Sequence, residues 1–309
     1  MNLDEQERER ALSIKAAAER LGFDACRIAS AADAADDGFD GWLARGCHAD
    51  MAWLARSRDL RRQPALKLPG ARSVVVLARY YFRRDLRPAP GAAIARYAWS
   101  RDYHRALARP LAALAAHIRT LAPEAACYAS TDSGPVRERA WAARSGLGWV
   151  GRHGLIIHPR FGSWTVLATV ITTLALLPDA PMPDRCGDCD ACVRACPTGA
   201  IIEGRLVDAR RCIAYHTVEH KGPLPDAMAG RLNGWVFGCD RCQEACPWSH
   251  PERLPEDADI AIRHDFADLD ARQILAMSDA DFRARFAGTP VLRAKRAGLQ
   301  RNAESGRTG

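Results

Sequence analysis

Eight cysteines between positions 186 and 246 constrain this chain more than any other feature of its sequence. The other three of its 11, Cys26, Cys47 and Cys127, are scattered through the preceding residues. A disulfide framework normally pervades a small secreted chain. This chain has 309 residues and gathers its thiols in one stretch. Its start, Met-Asn-Leu-Asp-Glu-Gln-Glu-Arg-Glu-Arg, lacks the apolar core of a signal peptide. A reducing, cytoplasmic compartment is the expectation, and clustered thiols there point to metal.

The spacing sharpens that reading. Cys186-x2-Cys189-x2-Cys192-x3-Cys196-Pro197 is the bacterial ferredoxin pattern, in which the close triplet holds one iron–sulfur cube and the fourth cysteine ligates the other. The second run, Cys239-x2-Cys242-x3-Cys246-Pro247, lacks the first member of a triplet, and Cys212 can supply it. The count then closes. Cys186, Cys189, Cys192 and Cys246 are expected on one [4Fe–4S] cluster, and Cys196, Cys212, Cys239 and Cys242 on the other. Structural zinc also uses Cys-x-x-Cys pairs, but gives no reason for both Cys-Pro endings. Cys26, Cys47 and Cys127 read as small buried hydrophobes. A free ferredoxin needs no 185 residues ahead of it, so those residues should hold the centre that receives the electrons.

Around the cysteines the pattern predicts an α+β chain: a mixed α/β domain over 1–177, a ferredoxin-like module over 178–252, and a short helical tail over 253–309. Helices are expected at Asp4–Leu21, Phe39–Arg45, Asp50–Arg56 and Asp102–Leu121, the last with a kink or offset start at Pro110. Strands are expected at Ala25–Ala29, Ser73–Tyr81 and Glu124–Thr131. Pro135 suits the first turn of a helix running to Arg144. Leu155–His158 and Trp164–Leu174 should pair as a hairpin. The uncharged stretch 161–178 is rich in β-branched residues and threonine, and reads as a buried strand rather than a membrane span. After Pro251 a polar stretch leads into the tail.

Asp132 lies where a strand ends and a helix begins, a usual place for site residues. On the residues alone it reads more readily as an Asx-turn residue near the helix start. Arg56 reads as part of a basic face with Arg58, Arg61 and Arg62. Arg152 and His153 follow a glycine-rich turn where backbone can approach a cofactor. Tyr103 and His104 open the long helix and carry a weaker signal.

Several motifs together resemble one family. They are Met51-Ala-Trp-Leu-Ala-Arg56, Leu68-Pro-Gly-Ala-Arg-Ser-Val74, Arg96-Tyr-Ala-Trp-Ser-Arg-Asp-Tyr-His104 and Thr131-Asp-Ser-Gly-Pro135. Gly146-Leu-Gly-Trp-Val-Gly-Arg-His153, Gly162-Ser-Trp164, the ferredoxin run, Val207-Asp-Ala-Arg-Arg-Cys212 and Phe237-Gly-Cys-Asp-Arg-Cys242 continue the likeness. The combination resembles the epoxyqueuosine reductases, which complete the tRNA base queuosine. The resemblance implies an oxidoreductase with cobalamin in its N-terminal domain, a domain similar to that of the reductive dehalogenases, and two clusters feeding the cobalt. It implies Asp132 as proton donor, with Arg56, Arg152, His153 and Ser163 contacting cobalamin. An acid donating near neutral pH would need a raised pKa.

The implied partners are a tRNA carrying epoxyqueuosine in its anticodon loop and a low-potential donor of flavodoxin or ferredoxin type, with the enzyme a monomer off the membrane. A tRNA partner predicts basic surface. Arg79 to Arg109 holds eight arginines against Asp85 and Asp102, and Asp279 to Gly309 holds seven Lys/Arg against three acids. Phe82, Tyr97 and Trp99 could stack on unpaired bases, although core packing is the commoner fate. Many family members continue past an Arg-Asn-Ala motif with a helical-repeat domain. Here the motif is Arg301-Asn-Ala303 and the chain ends six residues later, which implies a short form with a smaller tRNA surface. His216 stands where a leucine is more usual. Two rivals remain on sequence grounds: a reductive dehalogenase-like enzyme for a small molecule, and a non-catalytic iron–sulfur carrier.

Overall fold

Ser73–Tyr80 (SVVVLARY) is apolar on both faces, so it needs cover on both sides. The computed structural model, which describes residues 2–32, 38–85, 88–255, 258 and 266–305, shows how that cover is provided. Four strands form an antiparallel sheet: β1 Ala25–Ser30, β2 Ser73–Tyr80, β3 Cys127–Ser130 and β4 Thr165–Thr172. Their spatial order is β1-β2-β4-β3, with β4 inserted between β2 and β3. Val75 and Leu77 of β2, with Ala168 and Val170 of β4, face the helices α1 (Leu3–Arg20) and α2 (Tyr103–Leu121). Ile14, Ala18, Leu107, Leu111, Leu114 and Ile118 close that layer. Val74, Val76 and Ala78 point the other way, onto Trp141 and Ala142 of α3 (Glu138–Arg144).

The expected hairpin does not form. Ile156–Ile157 pairs antiparallel with Trp149–Val150, and His158 makes only an isolated bridge to Gly162. The reason is twofold. β4 is buried over its second half and takes neighbours on both edges, which a hairpin partner at one edge cannot supply. Gly148 lets the Trp149 strand lie directly on the Ile157 carbonyl, where any Cβ would collide. The buried-strand reading of 161–178 holds at Thr165–Thr172, and no helix among the described residues is long and apolar enough to cross a membrane.

Two expected boundaries move. Asp102 caps α2 by accepting the His104 N–H at 3.0 Å, so the helix starts at Tyr103 and Pro110 stands inside it rather than offsetting its start. α3 begins at Glu138, not at Pro135. Val136 is pulled into the core, and residues 131–135 stay a loop tucked against β3. Gly134 makes that tuck possible, because a Cβ there would collide with Tyr128 Oη and Ser130 Oγ.

Beyond β4 the two cysteine half-motifs place short helices, Ala191–Ala195 and Arg241–Glu244, against each other. The tail helices Ala271–Ala276, Asp279–Arg285 and Lys295–Ser305 share a core with Ile94, Trp99, Val236 and Phe237. The Arg-Asn-Ala motif fastens them. Buried Asn302 donates from Nδ2 to the Thr217 and Val236 carbonyls at 3.1 and 2.8 Å, and Arg301 donates to the carbonyls of His216, His220 and Gly222. Parts of the predicted polar stretch after Pro251, Arg87 of the first basic run and the end of the second lie outside the described residues.

Candidate active site

The cysteines sort into two sets. Cys186, Cys189, Cys192 and Cys246 line a cavity of about 180 Å³ with Arg152, Arg185 and Trp248. Cys196, Cys212, Cys239 and Cys242 line part of a larger cavity of about 560 Å³. Among the described residues no three His, Cys, Asp or Glu side chains gather closely enough to hold a single metal ion. Cys212 is brought in by the helix Ile213–Val218, which packs on the strand Trp235–Phe237. Thr217 Oγ1 of that helix accepts the Gly238 N–H at 3.0 Å, tying it to the turn that carries Cys239. The Trp149 indole N–H points at Cys186 Sγ at 3.4 Å, and the Ala200 N–H at Cys196 Sγ at 3.2 Å. Burial pushes the Cys192 thiol up to about 11 and raises Cys212 and Cys242, so bound metal would be needed to hold them as thiolates.

Asp132 lines the same large cavity as the second quartet. It follows β3 directly and has a left-handed backbone, φ 55°. The Tyr103 hydroxyl donates to its Oδ2 at 2.6 Å, and His104 Nε2 stands 3.7 Å from the same oxygen. His104 Nδ1 in turn lies 2.7 Å from Asp102 Oδ1. These neighbours reverse one expectation. His104 first, and then the Tyr103 hydroxyl, hold the Asp132 carboxyl down at about 2, against desolvation, which acts to raise it. The contacts with Asp132 and Asp102 raise His104, which favours its protonated form. Beside them Glu138, also on the cavity, is pushed up to about 7, chiefly by burial, with the Asp132 charge adding to it.

The other candidates are distributed unevenly. His153 lines both cavities; burial holds it neutral, at about 4, and its Nε2 is buried without a partner. Ser163 lines the large cavity, with its Oγ 3.0 Å from Ser249 Oγ. Arg152 stands at the smaller cavity and donates to the Gly187 carbonyl at 2.9 Å. Arg56 is exposed at the end of Ala52–Arg56, a helix whose Leu54, with Met51 just ahead of it, reaches the large cavity. His216 is buried against the Arg210 carbonyl and lines neither cavity. Phe82 and Trp99 are core residues, whereas Tyr97 lines the large cavity.

Three residues around this site were not among the candidates named from the sequence: Glu138, Asp102 and Arg96. Arg96 belongs to the basic run but is buried, paired with Asp240 at 3.2 Å and Glu244 at 2.6 Å, its guanidinium over Phe82 and Trp164. It ties the sheet side of the cavity to the Cys239–Cys242 turn. Glu138 had one usable hint, since a carboxylate in the first turn of a helix can reach back to an amide ahead of it.

A two-quartet cysteine module opening onto a carboxylate-bearing cavity defines a redox enzyme of the iron–sulfur class. Residues 185–249 match the family described as "4Fe-4S double cluster binding domain", and residues 61–133 match "Epoxyqueuosine reductase QueG, DUF1730". An epoxyqueuosine reductase of Gloeobacter violaceus is 43% identical over 96% of this chain and 95% of its own length. The structure of an epoxyqueuosine reductase with an epoxyqueuosine-modified tRNA-Tyr stem loop superposes with a TM-score of 0.81 at 28% identity, covering 96% of this chain and 80% of that one. The Bacillus subtilis enzyme, captured with its catalytic aspartate loop swung out of the active site, gives 0.82 at 27% identity with the same coverage. The chain belongs to the epoxyqueuosine reductase family, and is an oxidoreductase.

Proposed function

We propose that this protein reduces the epoxide of epoxyqueuosine in tRNA to the alkene of queuosine, with electrons delivered through two [4Fe–4S] clusters to a cobalamin. The carrying observation is that one cavity is lined by both Asp132 and the Cys196, Cys212, Cys239, Cys242 quartet. Each quartet lines a cavity of its own, and the two Cys-Pro endings fit the ferredoxin pattern where structural zinc gives no reason for them. Cys186, Cys189, Cys192 and Cys246 would hold one cluster and Cys196, Cys212, Cys239 and Cys242 the other, a division supported by the cavity each set lines.

The large cavity also suits a corrin. Trp42, Met51, Leu54, Val166 and Leu167 give it an apolar wall, and the unpartnered His153 Nε2 offers a hydrogen-bonding atom to an amide side arm. His153 and Ser163 would hold the cofactor; Arg56 and Arg152 would act from its edge and from the cluster side. Bound there, cobalamin supplies strongly reduced cobalt.

The overall change takes two electrons and two protons, breaks both epoxide C–O bonds, forms one C=C bond and releases water. Asp132 carries a proton to the departing oxygen. Its side chain is 68% exposed to the cavity mouth, so the oxygen can reach it. His104, held by Asp102, restores that proton, and Tyr103 fixes the carboxylate between the two. Substrate that covers this carboxylate removes water from it and raises its proton affinity. Exposed Arg101 and Arg105 flank Tyr103 and His104, where they would meet the phosphates of the anticodon arm. A monomer served by a flavodoxin- or ferredoxin-type donor completes the reading, with its domains divided near 177 and 252.

The test is a stem loop carrying epoxyqueuosine, the cobalamin-loaded protein and a chemical reductant. Loss of one oxygen from the base is expected, with about eight irons and about one cobalt per chain. Unchanged RNA, or stoichiometric zinc without iron, would sink the proposal.

Gly134→Ala probes the same loop. The new methyl forces the 131–135 turn off Tyr128 and Ser130. A displacement of about 1 Å at a reacting group can cost on the order of 100-fold. Single-turnover reduction should therefore slow at least about tenfold while iron content is unchanged.

A further inference from the structure

Asp132 has a left-handed backbone, φ 55°, which Asp tolerates better than most residues but which the surrounding chain must still hold in place. The Ser133 N–H donates to the Thr131 carbonyl at 2.6 Å, so Asp132 is the central residue of a γ-turn with positive φ. Such turns are rare and strained, and persist only where surrounding contacts enforce them. One flank is fixed: Thr131 Oγ1 donates to the Leu167 carbonyl at 2.8 Å, anchoring the turn to β4. On the other flank Arg61 reaches the Val136 carbonyl only at 3.4 Å. At the strained residue itself one contact acts on the backbone from outside the turn. The Asp132 N–H donates to Glu138 Oε1 at 3.0 Å.

We infer that Glu138 is a positioning residue whose side chain clamps the Asp132 turn in its inward place, with the carboxylate aimed into the cavity. Glu138 reaches back from the first turn of α3, a helix fixed by the buried Trp141 and Ala142. The clamp thus refers a strained loop to a rigid element. A carboxylate accepts an N–H at either oxygen and a neutral carboxyl accepts it at its carbonyl oxygen, so the clamp holds whether Glu138 is charged or neutral. Burial disfavours the charged form of Glu138, as expected for a carboxyl kept for its acceptor oxygen beside a second carboxylate. The inference rests on the reading of Asp132 as proton donor for its catalytic meaning, but the contact itself can be tested without turnover.

Glu138→Ala and Glu138→Gln should be compared in the cluster- and cobalamin-loaded protein. Alanine removes the acceptor, so kcat should fall about tenfold or more while KM for the modified stem loop stays within about threefold. Glutamine keeps an acceptor oxygen and should recover most of that loss. Hydrogen exchange gives the independent readout: amides in 131–135 should exchange about tenfold faster in Glu138→Ala, near wild type in Glu138→Gln, with 185–249 unchanged in both. Wild-type kcat and exchange in Glu138→Ala would overturn the clamp, as would a glutamine variant as impaired as alanine in exchange. If alanine prevents accumulation, Glu138→Asp, one methylene too short to reach the amide, takes its place with the same expectations. A fully active Asp132→Asn would instead refute the proton-donor reading, and the exchange result would still decide the clamp.

Discussion

Asp132→Asn should reduce turnover by about three orders of magnitude, the range of a lost general acid, and leave iron and cobalt content at wild-type values. Asparagine isolates the chemistry because it is among the few side chains that tolerate the left-handed backbone found here, φ 55°. Its amide oxygen can still accept from Tyr103, so the 2.6 Å contact is preserved in kind. What disappears is an acidic proton. His104 also loses a carboxylate that raises it, and should titrate lower in the variant. Turnover near the wild-type rate in single-turnover assays would remove Asp132 from the proton path.

Cys212→Ala should halve the iron, from about eight to about four per chain, and abolish turnover. Cys212 stands on the large cavity with Cys196, Cys239 and Cys242, so its loss breaks the quartet that borders Asp132's cavity. Cys189→Ala should also halve the iron, but by emptying the smaller cavity. The two variants therefore have equal iron and different surviving clusters, which their reduction potentials should separate. Indole and backbone N–H groups point at different sulfurs in the two quartets: Trp149 at Cys186, Ala200 at Cys196. Full iron retention in Cys212→Ala would contradict the pairing.

Much of the fold was legible because periodicity reports burial. SVVVLARY announced a strand, and the Leu107, Leu111, Leu114, Ile118 stripe announced α2. Misplaced boundaries share a cause. Pro135 carries a helix-start signal, but the start of α3 is decided by Val136 entering the core and by Gly134 packing on β3. Strand partners are likewise invisible locally. Nothing within 155–174 tells that β4 leaves its chain neighbour and inserts between β2 and β3.

The cysteine spacing determined, by itself, a double-cluster redox module, and the motifs around it determined the family. Both are properties of short stretches whose chemistry needs fixed residue types at fixed intervals. The state of the acid was decided only by the tertiary structure. Sequence reasoning asked for an Asp132 carboxyl of raised pKa, and the fold placed Tyr103 and His104 against it and held it near 2. It also set Glu138 behind the Asp132 amide. A pKa and a strained turn depend on which groups meet in space within a few ångströms, and here those groups come from α2, α3 and the loop after β3.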